Sequence, residues 1–186
     1  MSTATLLFIA FAWGLSLAVN VWIFFRVSGA FFNPAVTLAL AVVQIICPIR
    51  AVVAFIAQIL ASITAAGLIK LLTPGDLDVG TRLANGASIP QGFQRRITLM
   101  EGLFLEFFMT TQLVLVIFML GVEKHKSTYL LPLIVGLTVT ATLLIGVPFT
   151  GASLNPARSF GPDIVTRDFP GYHWIYCMTP HLNCSR

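Results

Sequence analysis

The chain has 186 residues, of which 57% are hydrophobic and only 10% are charged. Soluble domains carry about 25% charged residues, so this chain has too little polar surface to cover a globule in water. The formal net charge is +4, and the basic residues are scattered, which argues against a nucleic-acid-binding surface. We therefore expect lipid to be the solvent for most of the chain, and the length fits one domain.

Four apolar stretches are long enough to cross a bilayer. They run over residues 4–25, 51–72, 99–121 and 129–147. Each is close to the roughly 20 residues that span a hydrocarbon core of about 30 Å. The first stretch is expected to be a retained span, because no Lys or Arg precedes Arg26 to form the positive region of a signal peptide.

Two shorter apolar stretches, residues 34–46 and 156–165, are too short to span and are typical of re-entrant segments. Both are introduced in the same way, by SGAFFNPA at 28–35 and by TGASLNPA at 150–157. This shared frame is an internal repeat. Because three predicted spans separate the two copies, the sequence predicts that they enter the membrane from opposite faces.

Each copy of the repeat has the residues of a helix start. Asn is a favoured N-cap, and Pro is favoured at the first helical position. Two half-helices from opposite faces would bring their positive ends together, which repels cations, while the Asn amides can donate to a passing oxygen. The pattern favours a midplane pore for small neutral molecules, and the alternative is a pair of helix caps without conduction. The pore residues would be Asn33, Pro34, Ala35, Asn155, Pro156 and Ala157.

Three further polar residues lie at predicted membrane depth. Arg158 follows the second motif, and a charge at that depth is functional by default; it would donate to solute oxygen, with snorkelling as the alternative. Glu106 is expected to be a hydrogen-bonded, helix-bracing carboxylate, with a proton relay as the alternative, and Gln112 is expected to share its polar surroundings. The sequence contains no metal-ligand cluster or catalytic spacing, so it disfavours a membrane enzyme and predicts no cofactor or metal.

These motifs resemble those of the aquaporin, or major intrinsic protein, channel family. The matches are SGAFFNPAVTL at 28–38, EFFMTTQLV at 106–114 and TGASLNPARSFGP at 150–162, and GYHWIY at 171–176 resembles the lead-in to the family's last span. The family fold has six spans and two half-helices. The resemblance implies an all-α membrane protein with an aquaporin-like inverted repeat, here with four spans and two half-helices.

The resemblance also implies a domain organisation and a function. Residues 1–186 would form a single truncated domain, with the first repeat at about 1–72, the second at about 99–176, and the family's first and last spans missing. The expected function is a passive channel for water and small neutral solutes such as glycerol, in the plasma membrane, as a homotetramer or together with full-length aquaporin subunits. The alternative is a non-conducting fragment that at most assembles with such subunits.

The resemblance places the family's narrow filter on Trp13, Leu143, Ala152 and Arg158. Water-selective relatives usually carry Phe and His at the first two positions, whereas glycerol-conducting relatives usually carry Trp at the first and Asp after the Arg. Here Trp13 follows the glycerol pattern, while Ser159 and the short loop at 73–98 favour the water branch. Leu143 replaces a hydrogen-bond donor with an apolar wall, which argues against strict water selectivity.

Overall fold

The computed structural model describes residues 1–77, 81–84, 97–123 and 126–178. All the regular structure in these ranges is helical. The helices are α1 (Thr3–Ser28), α2 (Pro34–Val42), α3 (Pro48–Leu72), α4 (Leu99–Ile117), α5 (Leu131–Thr150), α6 (Pro156–Thr166) and α7 (Trp174–Met178). A π-helical turn, Phe118–Val122, continues α4, and a 3-10 turn, Thr128–Leu130, precedes α5.

The four predicted spans are confirmed as helices long and apolar enough to cross a membrane: α1, α3, α4 with its π-helical turn, and α5 with its 3-10 turn. Their bounds differ from the prediction by a few residues. The third helix begins earlier, at Pro48, because Pro is well suited to the first helical position. Most of the loop at 73–98 lies outside the described residues.

Both short stretches form short helices, and the first is shorter than predicted. Helix α2 ends at Val42 rather than at residue 46, and Gln44 adopts a left-handed conformation with φ 60° that cannot continue a right-handed helix. Helix α6 runs one residue beyond its predicted end, and Arg167, with φ 57°, caps it. Both therefore have the length of half-helices.

The internal repeat is visible in the backbone that leads into each half-helix. Gly29 ends α1 with φ 85°, and Gly151 ends α5 with φ 81°. The residues that follow, Ala30 and Ala152, are also left-handed, with φ 53° and 47°. Non-glycine residues in this conformation cost about 1–2 kcal/mol each. The same strained turn in both copies indicates that the sequence repeat is also a structural repeat.

The two long helices that precede the half-helices, α1 and α5, make the most extensive helix contact among the described elements. They meet at Gly14 and Gly136, which occupy equivalent positions in the two repeats. A Cβ atom on Gly14 would lie 1.9 Å from Oγ1 of Thr140 and 2.6 Å from the carbonyl oxygen of Gly136. Small residues permit such close backbone approach between membrane helices. Around this pair, α4 packs on α5, and α3 packs on both α2 and α6.

The outward surfaces of the long helices are apolar. Phe8, Val27 and Leu71 are each more than three-quarters exposed. Exposed apolar patches of this extent are rare on soluble monomers, but they are expected on helices that face lipid tails.

We predict that Gly14→Ala destabilises the fold by about 1–3 kcal/mol, because its methyl group has no space at the α1–α5 crossing. Gly67→Ala is the matched control, since a Cβ at Gly67 meets no atom within 4 Å. Thermal unfolding in detergent measures both variants. Equal melting temperatures for the two would contradict the close crossing.

Candidate functional site

Each half-helix begins with an Asn cap. Oδ1 of Asn33 accepts a hydrogen bond from the backbone N–H of Ala35 at 2.9 Å. Oδ1 of Asn155 accepts one from the N–H of Ala157 at 3.0 Å and a longer one from Arg158 at 3.4 Å. Both helix starts are therefore built as the residue pattern predicts, with Pro at the first helical position.

The two caps are also tied to each other. Nδ2 of Asn33 donates to the carbonyl oxygen of Leu154 at 2.7 Å, and Nδ2 of Asn155 donates to the carbonyl oxygen of Phe32 at 3.0 Å. Each amide thus binds the residue just before the other Asn, and we call this pair of bonds the reciprocal lock. It holds the N-termini of α2 and α6 against each other. An amide nitrogen has two N–H groups, so the lock uses one and leaves the second for another acceptor.

A buried carboxylate on α4 holds the loop that leads into α6. Oε1 of Glu106 accepts hydrogen bonds from Oγ1 of Thr150 at 2.6 Å and from the N–H of Ser153 at 2.9 Å. Oε2 accepts from the N–H of Leu154 at 3.0 Å. Glu106 is fully buried, and these hydrogen bonds attach it directly to the strained loop. The other α4 residue considered from the sequence, Gln112, lies on an exposed face and is not brought into this cluster.

Sequence reasoning did not identify two α3 residues that brace the half-helices. Nε2 of Gln58 donates to the carbonyl oxygen of Phe31 at 2.8 Å and to Oγ1 of Thr37 at 2.7 Å. One turn later, Oγ of Ser62 donates to the carbonyl oxygen of Ala157. Helix α3 therefore contacts both copies of the repeat through hydrogen bonds. The available signal was an amide inside an otherwise apolar span, since polar groups at that depth need partners.

Three of the four predicted filter residues lie around one small cavity. It has a volume of about 120 Å³ and lies between α1, α5 and the two half-helix starts. Trp13, Leu143 and Arg158 line it, together with both motif Asn residues. Ala152 is buried beside it, with 1% of its surface exposed, but is not among the lining residues. The volume exceeds several-fold the roughly 10–15 Å³ that one water requires.

An aromatic ring fixes the surroundings of the filter arginine. The guanidinium carbon of Arg158 lies 4.8 Å from the centre of the Trp13 ring, which is within the range of a cation–π contact. Leu143 also lines the cavity; it is 2% exposed and offers an apolar side chain. At these three positions the cavity lining thus combines one cation, one aromatic face and one apolar wall.

A larger groove lies next to this cavity. It has a volume of about 740 Å³, and the small side chains of α3 form much of its wall. The groove and the cavity share Trp13, Phe32, Asn155 and Arg158 as lining residues. The only charged side chains among the described residues that line either space are Arg50 and Arg158. With the positive ends of two half-helices nearby, this lining gives both spaces a positive electrostatic character.

Comparison with known proteins identifies the family of this fold. The family model described as major intrinsic protein matches residues 1–183. "Aquaporin-7" of Botryotinia fuckeliana is 46% identical over 179 residues, covering 96% of this chain and 37% of that protein. "Aquaporin-1" of Gibberella zeae is 47% identical over 178 residues, covering 96% of this chain and 52% of that protein.

A solved structure is similar in fold. The X-ray structure of the aquaglyceroporin from Plasmodium falciparum matches with a TM-score of 0.78 and 21% sequence identity, over 99% of this chain and 79% of that chain. This similarity concerns the fold alone. The chain spans about a third to a half of the length of the two fungal relatives above.

We predict that Glu106→Gln lowers the free energy of unfolding by about 3 kcal/mol. Both carboxylate oxygens now accept backbone N–H groups of the loop, and the NH₂ group of Gln would face one of these donors with no acceptor to offer. Gln112→Leu, on an exposed face of the same helix, is the control and is expected to change stability little. Denaturant unfolding in detergent compares them. A small effect of Glu106→Gln would show that the loop does not depend on the carboxylate.

Proposed function

This chain belongs to the major intrinsic protein family, and from that premise we propose that it forms a passive transmembrane pore for water and small neutral solutes. The observation that carries the proposal is the reciprocal lock between Asn33 and Asn155. It places two amide donors and two positive helix ends beside one cavity, between helices long enough to span a bilayer. Plasma-membrane location and a homotetramer belong to the same proposal.

Exclusion of ions and protons follows from the electrostatics of this cavity. A cation entering it meets the positive ends of α2 and α6 and the guanidinium of Arg158, and none of the described residues that line it carries a carboxylate. A neutral molecule meets hydrogen-bond donors that bind its oxygen, beside the uncharged side chains of Trp13 and Leu143. Glu106 is the nearby negative charge, but it is fully buried and its oxygens are occupied by the loop.

The choice of solute depends on the filter residues. Trp13 and Leu143 give the cavity two apolar surfaces, against which the carbon atoms of a small polyol can lie, while Arg158 binds its hydroxyl groups. Water requires only the donors. We therefore propose that water passes, and that a solute such as glycerol is admitted as well.

The open groove favours a second candidate function, in which this chain conducts only after it assembles with another membrane helix. In the second repeat, α4 packs on α5 and its Glu106 binds the N–H groups of Ser153 and Leu154. The equivalent residues of the first repeat, Phe31 and Phe32, line the groove. The internal symmetry thus favours an apolar helix with a carboxylate as the occupant, and a full-length aquaporin subunit is one source.

We predict that Asn155→Asp abolishes solute flux or admits cations. The carboxylate remains a good N-cap, but it cannot donate to the carbonyl oxygen of Phe32, and it cancels the positive end of α6. Stopped-flow light scattering of proteoliposomes under an osmotic step measures water and glycerol flux, and conductance recordings measure cations.

Asn155→Ala is the companion variant, because it removes the donors without adding a negative charge. It is expected to lower flux without admitting cations. Unchanged flux and selectivity in both variants would contradict the midplane role of Asn155.

The second candidate predicts that liposomes containing this chain alone shrink under an osmotic step no faster than empty liposomes. Co-reconstitution with a full-length relative is expected to restore fast water flux. Native mass spectrometry of the mixture measures the assembly. Fast water flux with a low activation energy, from this chain alone and with its membrane insertion confirmed, would contradict this candidate. Absence of both flux and assembly would contradict both proposed functions.

A further inference from the structure

A polar cluster lies where residues 81–84, the end of α6 and the segment before α7 meet. Its centre is Asp163, which is fully buried. Nη1 of Arg82 donates to Oδ1 of Asp163 at 3.0 Å, and Nη2 donates to Oδ2 of Asp168 at 3.0 Å. On the other side, Nδ1 of His173 lies 2.6 Å from Oδ2 of Asp163. We call Arg82, Asp163, Asp168 and His173 the outer brace.

The contacts of the outer brace are directional and partly shielded from water. Arg82 donates to two carboxylates from one guanidinium, which fixes geometry better than a single ion pair. Burial alone opposes its charge, but the hydrogen bonds to Asp168 and Asp163 raise the pKa of Arg82 above its ordinary value. The ring of His173 packs against the rings of Phe160 and Phe169. The brace therefore joins three chain segments at one buried carboxylate.

The same segments hold the backbone that enters the filter loop. The N–H of Ala84 donates to the carbonyl oxygen of Phe149 at 2.8 Å. The hydroxyl of Tyr176 donates to the carbonyl oxygen of Thr150 at 3.0 Å, and burial raises the pKa of Tyr176 so that it stays a donor. Thr150 in turn donates to Glu106. Ala84 and Tyr176 thus hold the backbone just before the loop at 151–155. Asp163 holds the helix α6 that follows the loop.

Helix α6 connects the outer brace to the filter. It has 11 residues and carries Arg158 in its first turn and Asp163 near its end. Between them, Gly161 is so close to Ser62 of α3 that a Cβ would lie 2.0 Å from Oγ. A short helix fixed at its middle transmits a shift at one end to the other. Displacement of Asp163 would therefore move Arg158 relative to Trp13.

We propose that the outer brace positions Arg158 over Trp13 and thereby sets the solute selectivity of the pore, with Arg82 as the positioning residue. The selectivity part rests on the proposed function. The positional part concerns only the geometry of the filter and can be measured without flux.

Arg82→Gln tests the proposal, because it removes the charge and the two-pronged geometry while it retains a polar but shorter side chain. Arg167→Gln is the matched control, since Arg167 is exposed at the end of the same helix and is not part of the brace. In proteoliposomes, Arg82→Gln is expected to change the ratio of glycerol to water permeability by about threefold, the low end of couplings within one ion-pair network. A purely structural role would lower both permeabilities in parallel.

Tryptophan fluorescence gives an independent measure of the filter. The chain has three Trp residues, so a background of Trp22→Phe with Trp174→Phe leaves Trp13 as the sole reporter. Loss of the guanidinium from its ring face is expected to shift the Trp13 emission in Arg82→Gln, to leave it unchanged in Arg167→Gln, and to be partly restored in Arg82→Lys.

The two readouts separate the possible failures. Unchanged Trp13 emission in inserted Arg82→Gln protein overturns the positioning role. A shifted emission with an unchanged permeability ratio overturns the selectivity role. If no form of the chain conducts, the proposed function fails, and the emission still decides whether the brace positions Arg158.

Discussion

The reciprocal lock is the interaction on which the rest of the structure depends. Each motif Asn caps its own half-helix with its oxygen and binds the carbonyl oxygen before the other Asn with its nitrogen. Both functions of each amide are satisfied only if α2 and α6 meet N-terminus to N-terminus. This requirement determines where the two preceding loops run, because the carbonyl oxygens of Phe32 and Leu154 must each point toward the Asn of the other copy.

Several costly features of the fold follow from that requirement. The loops must turn sharply after α1 and α5, which explains the left-handed Ala30 and Ala152. The two long helices must approach closely enough for the loops to meet, which explains the glycine contact between them. Irregular backbone at membrane depth must also find hydrogen-bond partners within the protein. Glu106 supplies them for the second loop, and Gln58 binds a carbonyl oxygen of the first.

The sequence predicts the parts of this arrangement that are encoded locally. Four apolar runs gave the spans, and Asn followed by Pro gave both half-helix starts, because hydropathy and capping act over a few residues. The end of α2 was predicted too late, since the apolar run continues past the left-handed Gln44. The bracing roles of Gln58 and Arg82 were missed, because each depends on a partner that only the tertiary packing brings near. The reciprocal lock joins residues 121 and 123 positions apart, beyond any local pattern.

The two copies of the repeat are not supported equally, and this asymmetry bears on function. A carboxylate holds the second loop and α3 holds α6, so Arg158, the predicted filter arginine, lies on the better-supported half-helix. The first loop is held by the amide of Gln58 and by Arg50, which donates to the carbonyl oxygen of Ser28. In that loop the N–H of Phe32 donates to the carbonyl oxygen of Ala30, at 3.0 Å, rather than to a carboxylate. The open groove lies beside this less-supported loop. A partner helix bound in the groove would therefore contact the loop and could stabilise the reciprocal lock. In the two proposed functions, assembly and conduction are therefore physically linked, because both would depend on the position of Asn33.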